Sequence, residues 1–333
     1  MLKPSAIKQL LAKKNLLAFS AGVDSSALFF ILKENKIVFD IAIVNYGVRQ
    51  QSKEENSYAK ELAKKYNLKC HTLNATPIEK NFEYSARKIR YDFFEELIQK
   101  YNYENLITAH HLGDRFEWML MQFCKGAGCA EISGMQESQI RENYTLLRPL
   151  LHLDKEELLR YLKKKNHKYF EDESNYDEGI KRNEFRHKHA TPLLQKHLNG
   201  IKKSFEYIDA DVESLLQESK ITTIKEFAYF KPTKSIRATI FTIDKYLKSQ
   251  NYMLSASERE TLKSDKTAVV GRKFIINQIE NFIFIAPFTH DEFTLDSRFK
   301  DECRVLKIEP KLRKYLAQNM EVFKDLKILL GDI

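Results

Sequence analysis

Residues Ser20 to Ser25 read SAGVDS and bring two hydroxyls, a carboxylate and a glycine into one short stretch. The stretch lies between two apolar runs, NLLAF and ALFF. A strand, a tight loop and a helix start together can bind phosphate, because backbone N–H groups and the helix dipole both favour an anion. Asp24 alone would repel phosphate, but a carboxylate can hold Mg²⁺ against phosphate oxygens. The stretch therefore predicts a magnesium-dependent phosphate site.

This loop differs from two common phosphate-binding loops. It lacks the Gly-Lys-Ser/Thr ending of a Walker A loop, which argues against a kinase or GTPase. It also lacks GxGxxG, which argues against a dinucleotide-binding fold. One structural alternative stays open, namely that Ser20 or Asp24 only caps the first turn of the following helix.

A second chemistry-bearing stretch reads AHHLGDRFE, from residue 109 to residue 117. His110 and His111 end an apolar run, so at most one of them faces a site, because adjacent strand residues point to opposite faces. The same geometry makes zinc binding by the pair unexpected. Asp114 and Glu117 open an apolar-periodic helix, and Asp-x-x-Glu at that place is also the pattern of a capping box.

Two basic groups are candidates for nucleic-acid binding. Arginine offers a planar fork for phosphate, and the aromatic ring of Phe185 can stack or pack. The segment RNEFRHK therefore predicts contacts from Arg182, Asn183, Arg186 and Lys188. Arg87 and Arg90 share one helix face and could meet phosphate in the same way. Solvated basic helices are the alternative for both groups.

The elements that position these residues indicate a parallel α/β sheet. Short apolar runs alternate with longer helical patterns through the first half of the chain. The predicted strands are NLLAF, FDIAIVNYGV, KCHTLNA and ENLITAHH, with LLRPLL as a further extended piece. In such sheets ligands gather at the carboxyl ends of the strands, where SAGVDS and the histidines lie. We predict a Rossmann-like catalytic domain over residues 1–198.

The alternation stops near residue 200. Residues 200–265 read as helical and lysine-rich, and residues 266–333 contain strands, with a hairpin around Glu280 and Asn281. We predict a smaller, mostly helical α+β region over residues 199–333.

Composition favours a polyanionic partner and a reducing compartment. The formal net charge is +9 and the pI is about 9.1, although a lysine-rich proteome would give the same values. The four cysteines form no CxxC pair. No apolar run approaches the roughly 18 residues of a membrane span, and the apolar segment near the start is shorter than the roughly 7 to 15 residues of a signal peptide. We predict a cytoplasmic protein without a membrane segment.

Six motifs carry a resemblance to a known family. SAGVDS resembles the SGGxDS loop of the N-type ATP pyrophosphatases (the PP-loop superfamily), which cleave ATP between the α- and β-phosphates. RKIRYDFF, ITAHHLGDRFEWML, RPLL, DESN and RNEFRHKHATPLL follow in order and resemble the motifs of the tRNA(Ile)-lysidine synthetases, over roughly residues 15–195. That family is a carbon–nitrogen ligase acting on a CAU-anticodon isoleucine tRNA. It joins free lysine to C2 of the wobble cytidine through an adenylated cytidine, and ATP becomes AMP and pyrophosphate.

The resemblance implies roles for individual residues. It implies that the ATP phosphates are held by the loop residues Ser20, Ala21, Gly22, Val23, Asp24 and Ser25. It implies Mg²⁺ at Asp24 and Asp114, and catalytic roles for Asp24, Asp114, Glu117 and His110. The two basic groups would contact tRNA, and the C-terminal region would be a tRNA-docking region. A homodimer is left open.

Four positions depart from the family's pattern. Ala21 replaces a glycine, and alanine tolerates positive φ poorly. Gly113 stands where the family usually has the first of two aspartates, so one carboxylate of the family's pattern is absent here. Arg115 replaces a common glutamine, and Tyr46 stands where a histidine is frequent.

Two other functions remain as alternatives. A tRNA thiolase of the same superfamily would need catalytic or cluster-binding cysteines, commonly CxxC, whereas Cys124 and Cys129 are spaced more widely. A non-catalytic RNA-binding protein with a degenerate loop is supported only by Ala21 and Gly113.

Overall fold

The computed structural model describes residues 1–47, 51–76, 78, 82–171, 181–215, 219–290 and 293–331, without the side chains of residues 83, 181, 182 and 215. The chain divides into two compact units, Met1–Asp209 and Ala210–Ile333. We call them the N-terminal and the C-terminal unit. The sequence-based boundary at residues 198 and 199 falls inside a helix, Thr191–Leu215.

The N-terminal unit is built on a six-stranded sheet. Its strands are β1 (Asn15–Ala18), β2 (Phe39–Asn45), β3 (Cys70–Asn74), β4 (Asn105–Ile107), β5 (Ser138–Ile140) and β6 (Thr145–Leu147). Their order is β3-β2-β1-β4-β6-β5, and all neighbours are parallel except β5, which is antiparallel to β6. The predicted parallel α/β sheet is confirmed, and the four predicted strands are β1 to β4.

Helices cover both faces of this sheet. They are α1 (Pro4–Leu10), α2 (Val23–Glu34), α3 (Gln51–Tyr66), α4 (Phe82–Tyr101), α5 (Leu112–Phe123), α6 (Cys129–Ser133), α7 (Lys155–Lys164), α8 (Lys181–Phe185) and α9 (Thr191–Leu215), with a π-helical turn, Arg186–Ala190, between α8 and α9. Leu17 of β1 packs in a core with Phe29 of α2, whereas its neighbour Leu16 packs with Phe94 of α4. Alternate residues of a strand face opposite sides, and a parallel sheet needs both sides covered.

The C-terminal unit contains a five-stranded antiparallel sheet. Its strands are β7 (Thr222–Ile224), β8 (Phe227–Phe230), β9 (Thr267–Val270), β10 (Phe274–Ile279) and β11 (Phe282–Pro287), in the order β7-β8-β11-β10-β9. Its helices are α10 (Ile236–Ser249), α11 (Ala256–Ser264), α12 (Ser297–Val305), α13 (Pro310–Gln318) and α14 (Met320–Gly331). The predicted hairpin around Glu280 and Asn281 is confirmed by the pairing of Ile279 with Phe282.

Two elements of the C-terminal unit differ from the sequence-based description. Strands β7 and β8 lie within residues 200–265, where a lysine-rich composition predicts helix, and three helices, α12 to α14, lie within residues 297–331. The apolar alternation of β7 and β8 is too short to override a charged background in a sequence window. Among the described residues, no helix combines the length and the apolar character needed to cross a bilayer.

Candidate active site

The SAGVDS loop connects β1 to α2, and hydrogen bonds among its own residues stabilise it. The Ser20 N–H donates to Ser25 Oγ over 3.2 Å, and Ser25 Oγ lies 3.2 Å from the Gly22 carbonyl oxygen. Gly22 is the N-cap of α2, and within the described residues no side chain caps this helix start. The alternative in which Ser20 or Asp24 caps the helix is therefore wrong. An uncapped helix N-terminus has N–H groups that can meet an anion.

Ala21 adopts the left-handed conformation, with φ of 59°. A non-glycine residue there costs about 1 kcal/mol. Its carbonyl accepts hydrogen bonds from Ser26 Oγ at 3.1 Å and from the Phe170 N–H at 3.0 Å, and the residue is fully buried. The loop thus keeps a positive φ at this position although alanine replaces glycine.

Asp24 lies in the first turn of α2. One third of its side chain is exposed (33%). Its Oδ1 atom is buried and, within the described part of the chain, has no hydrogen-bond partner. Burial raises the pKa of the Asp24 carboxyl above its usual value, against the favourable interactions with His111, Lys155 and Arg186. A buried carboxylate oxygen without a donor is a position where a cation or a ligand donor is expected.

His111 connects the SAGVDS loop to the start of α5. It is the N-cap of α5, where its Nδ1 accepts the Gly113 N–H at 2.9 Å. Asp114 Oδ2 accepts the His111 N–H at 3.0 Å, which completes a capping box. His111 Nε2 lies 3.8 Å from Asp24 Oδ2 and 3.7 Å from Asp114 Oδ2. The capping box is thus formed by His111 and Asp114, three residues earlier than the alternative in which Asp114 and Glu117 form one.

Glu117 is buried one turn further along α5 and binds Arg186 of the π-helical turn. Arg186 Nε lies 2.7 Å from Oε1, and Nη2 lies 3.1 Å from Oε2. Arg186 Nη2 is also 3.7 Å from Asp114 Oδ1. Burial lowers the pKa of Arg186, but Glu117, Asp114 and Asp24 outweigh it and raise the pKa overall. Asp24, Asp114, Glu117 and Arg186 therefore form one electrostatic cluster at the carboxyl ends of β1 and β4.

His110, Asn183 and Lys188 are the remaining predicted residues of these two segments whose side chains the structure describes. His110 Nδ1 is 2.9 Å from Thr108 Oγ1. Asn183 is buried, and Lys188 is exposed and lies 3.5 Å from Glu184. The side chain of Arg182 and the whole DESN motif lie outside the described residues.

Arg87 and Arg90 are exposed on α4. The Arg87 guanidinium lies 4.8 Å from the ring centroid of Tyr91. Tyr46, which follows β2, donates a hydrogen bond to the Ala86 carbonyl at 2.9 Å and so ties the strand end to α4.

Arg115 has a structural role that its sequence position did not reveal. Its guanidinium is buried, donates to the Ser133 carbonyl at 3.0 Å, and forms a bidentate pair with Asp209 of α9. It also lies 4.3 Å from the ring centroid of Phe205. The pair joins α5, which carries Asp114 and Glu117, to α9.

Lys155 and His111 also lie near Asp24, and the sequence predicted no role for either of them. Lys155, at the start of α7, is among the charges that act on the Asp24 carboxyl. His111 could have been found from its position three residues before Asp114, since that is the spacing of a capping box.

The donors at this place fit a Mg²⁺ ion held together with phosphate. Mg²⁺ is usually bound through one or two carboxylates and substrate phosphates, and it keeps several waters. Asp24 offers a buried oxygen of this kind, which has no hydrogen-bond partner among the described residues. In the described ranges no three His, Cys, Asp or Glu side chains are grouped to hold a metal by themselves. An ion at Asp24 would therefore depend on phosphate oxygens for further ligands.

The parallel sheet, with this loop between its central strand β1 and α2, defines an ATP-binding PP-loop domain, and residues 3–193 match the PP-loop domain family. The tRNA(Ile)-lysidine synthase of Wolinella succinogenes is 43% identical over 91% of this chain and 92% of its own length. Those of Helicobacter pylori and Campylobacter jejuni are 41% and 40% identical, covering 91% and 95% of this chain and 89% and 96% of the relatives. The chain belongs to the tRNA(Ile)-lysidine synthase family.

One solved structure supports the fold. A U34-tRNA thiolase from Methanococcus maripaludis, which carries a [4Fe-4S] cluster, superimposes with a TM-score of 0.53 at 16% sequence identity. The match covers 67% of this chain and 83% of the thiolase. At this identity the likeness concerns the fold alone.

Proposed function

We propose that this protein is a carbon–nitrogen ligase that converts the wobble cytidine of a CAU-anticodon isoleucine tRNA to lysidine. ATP activates C2 of the cytidine by adenylation, with release of pyrophosphate, and the amine of free L-lysine then displaces AMP. The modified anticodon reads AUA instead of AUG. The observation that carries the proposal is the convergence of Asp24, Asp114, Glu117 and Arg186 beside the PP loop, in a chain that belongs to this family.

The loop residues Ser20 to Ser25 would bind the ATP phosphates. The uncapped N-terminus of α2 offers N–H groups and the positive end of a helix dipole, and Ser20 and Ser25 add hydroxyls. Asp24 and Asp114 would hold Mg²⁺. When bound, Mg²⁺ would neutralise charge that develops on the departing pyrophosphate.

Glu117 and Arg186 would act on the reactants as a fixed pair. Glu117 uses both oxygens on Arg186, so its first effect is to hold the guanidinium beside Asp114. An arginine held in this way can stabilise negative charge at the reacting phosphate. His110, at the same sheet edge, would be a further catalytic residue. A lysine amine must lose its proton before it attacks, since its ordinary pKa is about 10.4.

The tRNA would be held mainly by basic side chains outside this cluster. Arg87, Arg90 and Lys188 are exposed, as phosphate-binding residues must be. Arg182 would join them, and Asn183, which is buried, would contribute from within the same segment. The C-terminal unit would serve as the docking region for the rest of the tRNA. The net charge of +9 supports such a role.

We place the protein in the cytoplasm, where ATP, lysine and tRNA are present together. The cysteines Cys70, Cys124, Cys129 and Cys303 are free thiols, which agrees with a reducing compartment. A homodimer is tested by sedimentation at several protein concentrations.

The decisive experiment incubates the full chain with ATP, Mg²⁺, lysine and either isoleucine or methionine CAU tRNA. We expect mass analysis of the wobble nucleoside to show lysidine in the isoleucine tRNA only, with one pyrophosphate released per modification. Without lysine, pyrophosphate release should stop at the adenylated tRNA. No pyrophosphate release would favour a binding protein, and dependence on a sulfur donor would favour a thiolase.

A further inference from the structure

We propose that His111 is a positioning residue, which holds the Asp24 and Asp114 carboxylates in place by presenting its Nε2–H between them, and that Gly113 provides the space this requires. The proposal rests on the proposed function, because it assigns these two carboxylates to the reaction centre. It concerns a side chain that would touch neither ATP nor tRNA.

The hydrogen bond at Nδ1 determines where the imidazole proton lies. The Gly113 N–H donates to His111 Nδ1 over 2.9 Å, so Nδ1 is an acceptor and carries no proton. In the neutral ring the proton is then on Nε2. That atom lies 3.8 Å from Asp24 Oδ2 and 3.7 Å from Asp114 Oδ2. A protonated Nε2 is a donor and cannot be a metal ligand.

The Nε2–H of His111 faces the carboxylates of both Asp24 and Asp114. Asp24 is on α2 and Asp114 is on α5, so the two charges are brought together only by the fold. Like charges in a partly buried place repel each other, and a positive dipole between them lowers that cost. His111 is itself buried, which prevents water from supplying the same stabilisation.

Gly113 is required by this arrangement for a steric reason. A Cβ atom at residue 113 would lie 2.6 Å from His111 Cε1 and 3.0 Å from Nδ1. Both atoms belong to a buried ring that is held on one side by the hydrogen bond and faces the carboxylates on the other. Any side chain at position 113 would therefore push the imidazole away. The placement of the His111 ring therefore depends on a glycine, and not an aspartate, at position 113.

The competing explanation is that His111 only caps α5, and two substitutions separate the explanations. His111→Asn places a side-chain oxygen near the Nδ1 position and removes the Nε2 donor. His111→Gln places an amide donor near the Nε2 position and weakens the cap. We compare thermal stability, kcat, and KM for ATP, lysine and tRNA in the full chain.

We expect His111→Asn to keep a melting temperature near that of the wild type and to lower kcat by about 10- to 100-fold, as loss of an outer-shell positioning group does. His111→Gln should be less stable but more active than His111→Asn. The proposal is overturned if His111→Asn has wild-type kcat, or if activity simply follows stability across both variants.

A measurement without substrates tests the same geometry. Nitrogen NMR of histidine-labelled protein should show His111 with an unprotonated Nδ1 and a protonated Nε2, and Gly113→Ala should change this signal. Gly113→Ala should also lower kcat in the wild type and have a much smaller effect in the His111→Asn background. An unchanged signal, or equal effects in both backgrounds, contradicts the proposal. Failure of the wild type to make lysidine would instead contradict the proposed function.

Discussion

Arg186 and Glu117 form a bidentate ion pair in which Nε and Nη2 of the arginine lie 2.7 Å and 3.1 Å from the two carboxylate oxygens. The pair joins α5 to the π-helical turn and is mostly buried, since the exposed fractions of the two side chains are 21% and 3%. A residue predicted from sequence to contact RNA is thus held inside the acidic cluster. Its geometry allows a test that distinguishes catalysis from RNA binding.

Arg186→Lys is expected to lower kcat by at least about tenfold, because an ammonium cannot hold both oxygens of Glu117 as a planar guanidinium does. The salt dependence of tRNA binding should stay close to that of the wild type, since the positive charge is conserved and is already paired. The measurement is a set of tRNA binding isotherms at several salt concentrations beside steady-state kinetics. A flatter salt dependence with normal kcat would return Arg186 to the RNA-binding set.

Asp24→Asn should abolish ATP-dependent pyrophosphate release and leave tRNA affinity nearly unchanged. The amide keeps the shape of the side chain but loses the charge that would hold Mg²⁺. Asp301→Asn in the C-terminal unit removes one negative charge at an exposed position and serves as the control. Wild-type pyrophosphate release by Asp24→Asn would remove this carboxylate from the metal site.

Arg87 and Arg90 can be tested against a lysine on the same helix. Each arginine that contacts phosphate should lower the magnitude of the salt slope of tRNA binding by about 1 when replaced by glutamine. Lys88→Gln is the matched control, because Lys88 Nζ lies 2.6 Å from Asp92 and its charge is already compensated. Equal slopes for Arg87→Gln, Arg90→Gln and Lys88→Gln would place α4 away from the RNA.

Asp209→Asn should destabilise the N-terminal unit by about 1 to 3 kcal/mol, because it leaves the buried guanidinium of Arg115 without its charged partner. Asp211→Asn, an exposed position on the same helix, is the control. Denaturant unfolding of the full chain is the measurement. If the two variants unfold alike, the pair contributes no stability.

Glu258 gives the C-terminal unit a defined dependence on pH. Burial alone would raise its pKa, but hydrogen bonds from Tyr252, Ser255 and Gly271 lower the pKa from 4.5 to about 2. The resulting stability is fully present above about pH 4.5 and is lost as the pH falls towards about 2, where the folded form is protonated. Glu258→Gln should therefore unfold with a weaker pH dependence in that range. Identical pH profiles for the wild type and the variant would refute this.

The sequence predicted the elements whose signals are local. Strands β1, β2 and β4 lie in mainly apolar runs, and SAGVDS lies at the end of the first one, so the sheet and its ligand edge could be inferred. Strand β5 (Ser138–Ile140) is exposed along its length and has only one apolar residue, and its pairing with β6 depends on tertiary contacts that a sequence window does not contain.

The site itself could be predicted only in part. The sequence pattern predicted roles for Asp24, Asp114 and Glu117. Their spacing in the sequence does not show which side chains they contact. Arg186 reaches Glu117 from a segment 69 residues away, and such a pairing depends on how α5 meets the π-helical turn. His111, and not His110, lies beside Asp24 because His111 is the N-cap of α5, and a predicted strand running through both histidines could not show this.

The contact of Arg115 with Asp209 and Phe205 bears on where this enzyme could be shortened. A fragment ending at residue 198 would delete both partners and leave a buried cation beside an unfilled apolar space under Phe116. A fragment that retains all of α9, to Leu215, keeps them. The C-terminal limit of a shortened catalytic fragment is thus set by Asp209, the counter-ion of Arg115, and not by the last recognisable sequence motif.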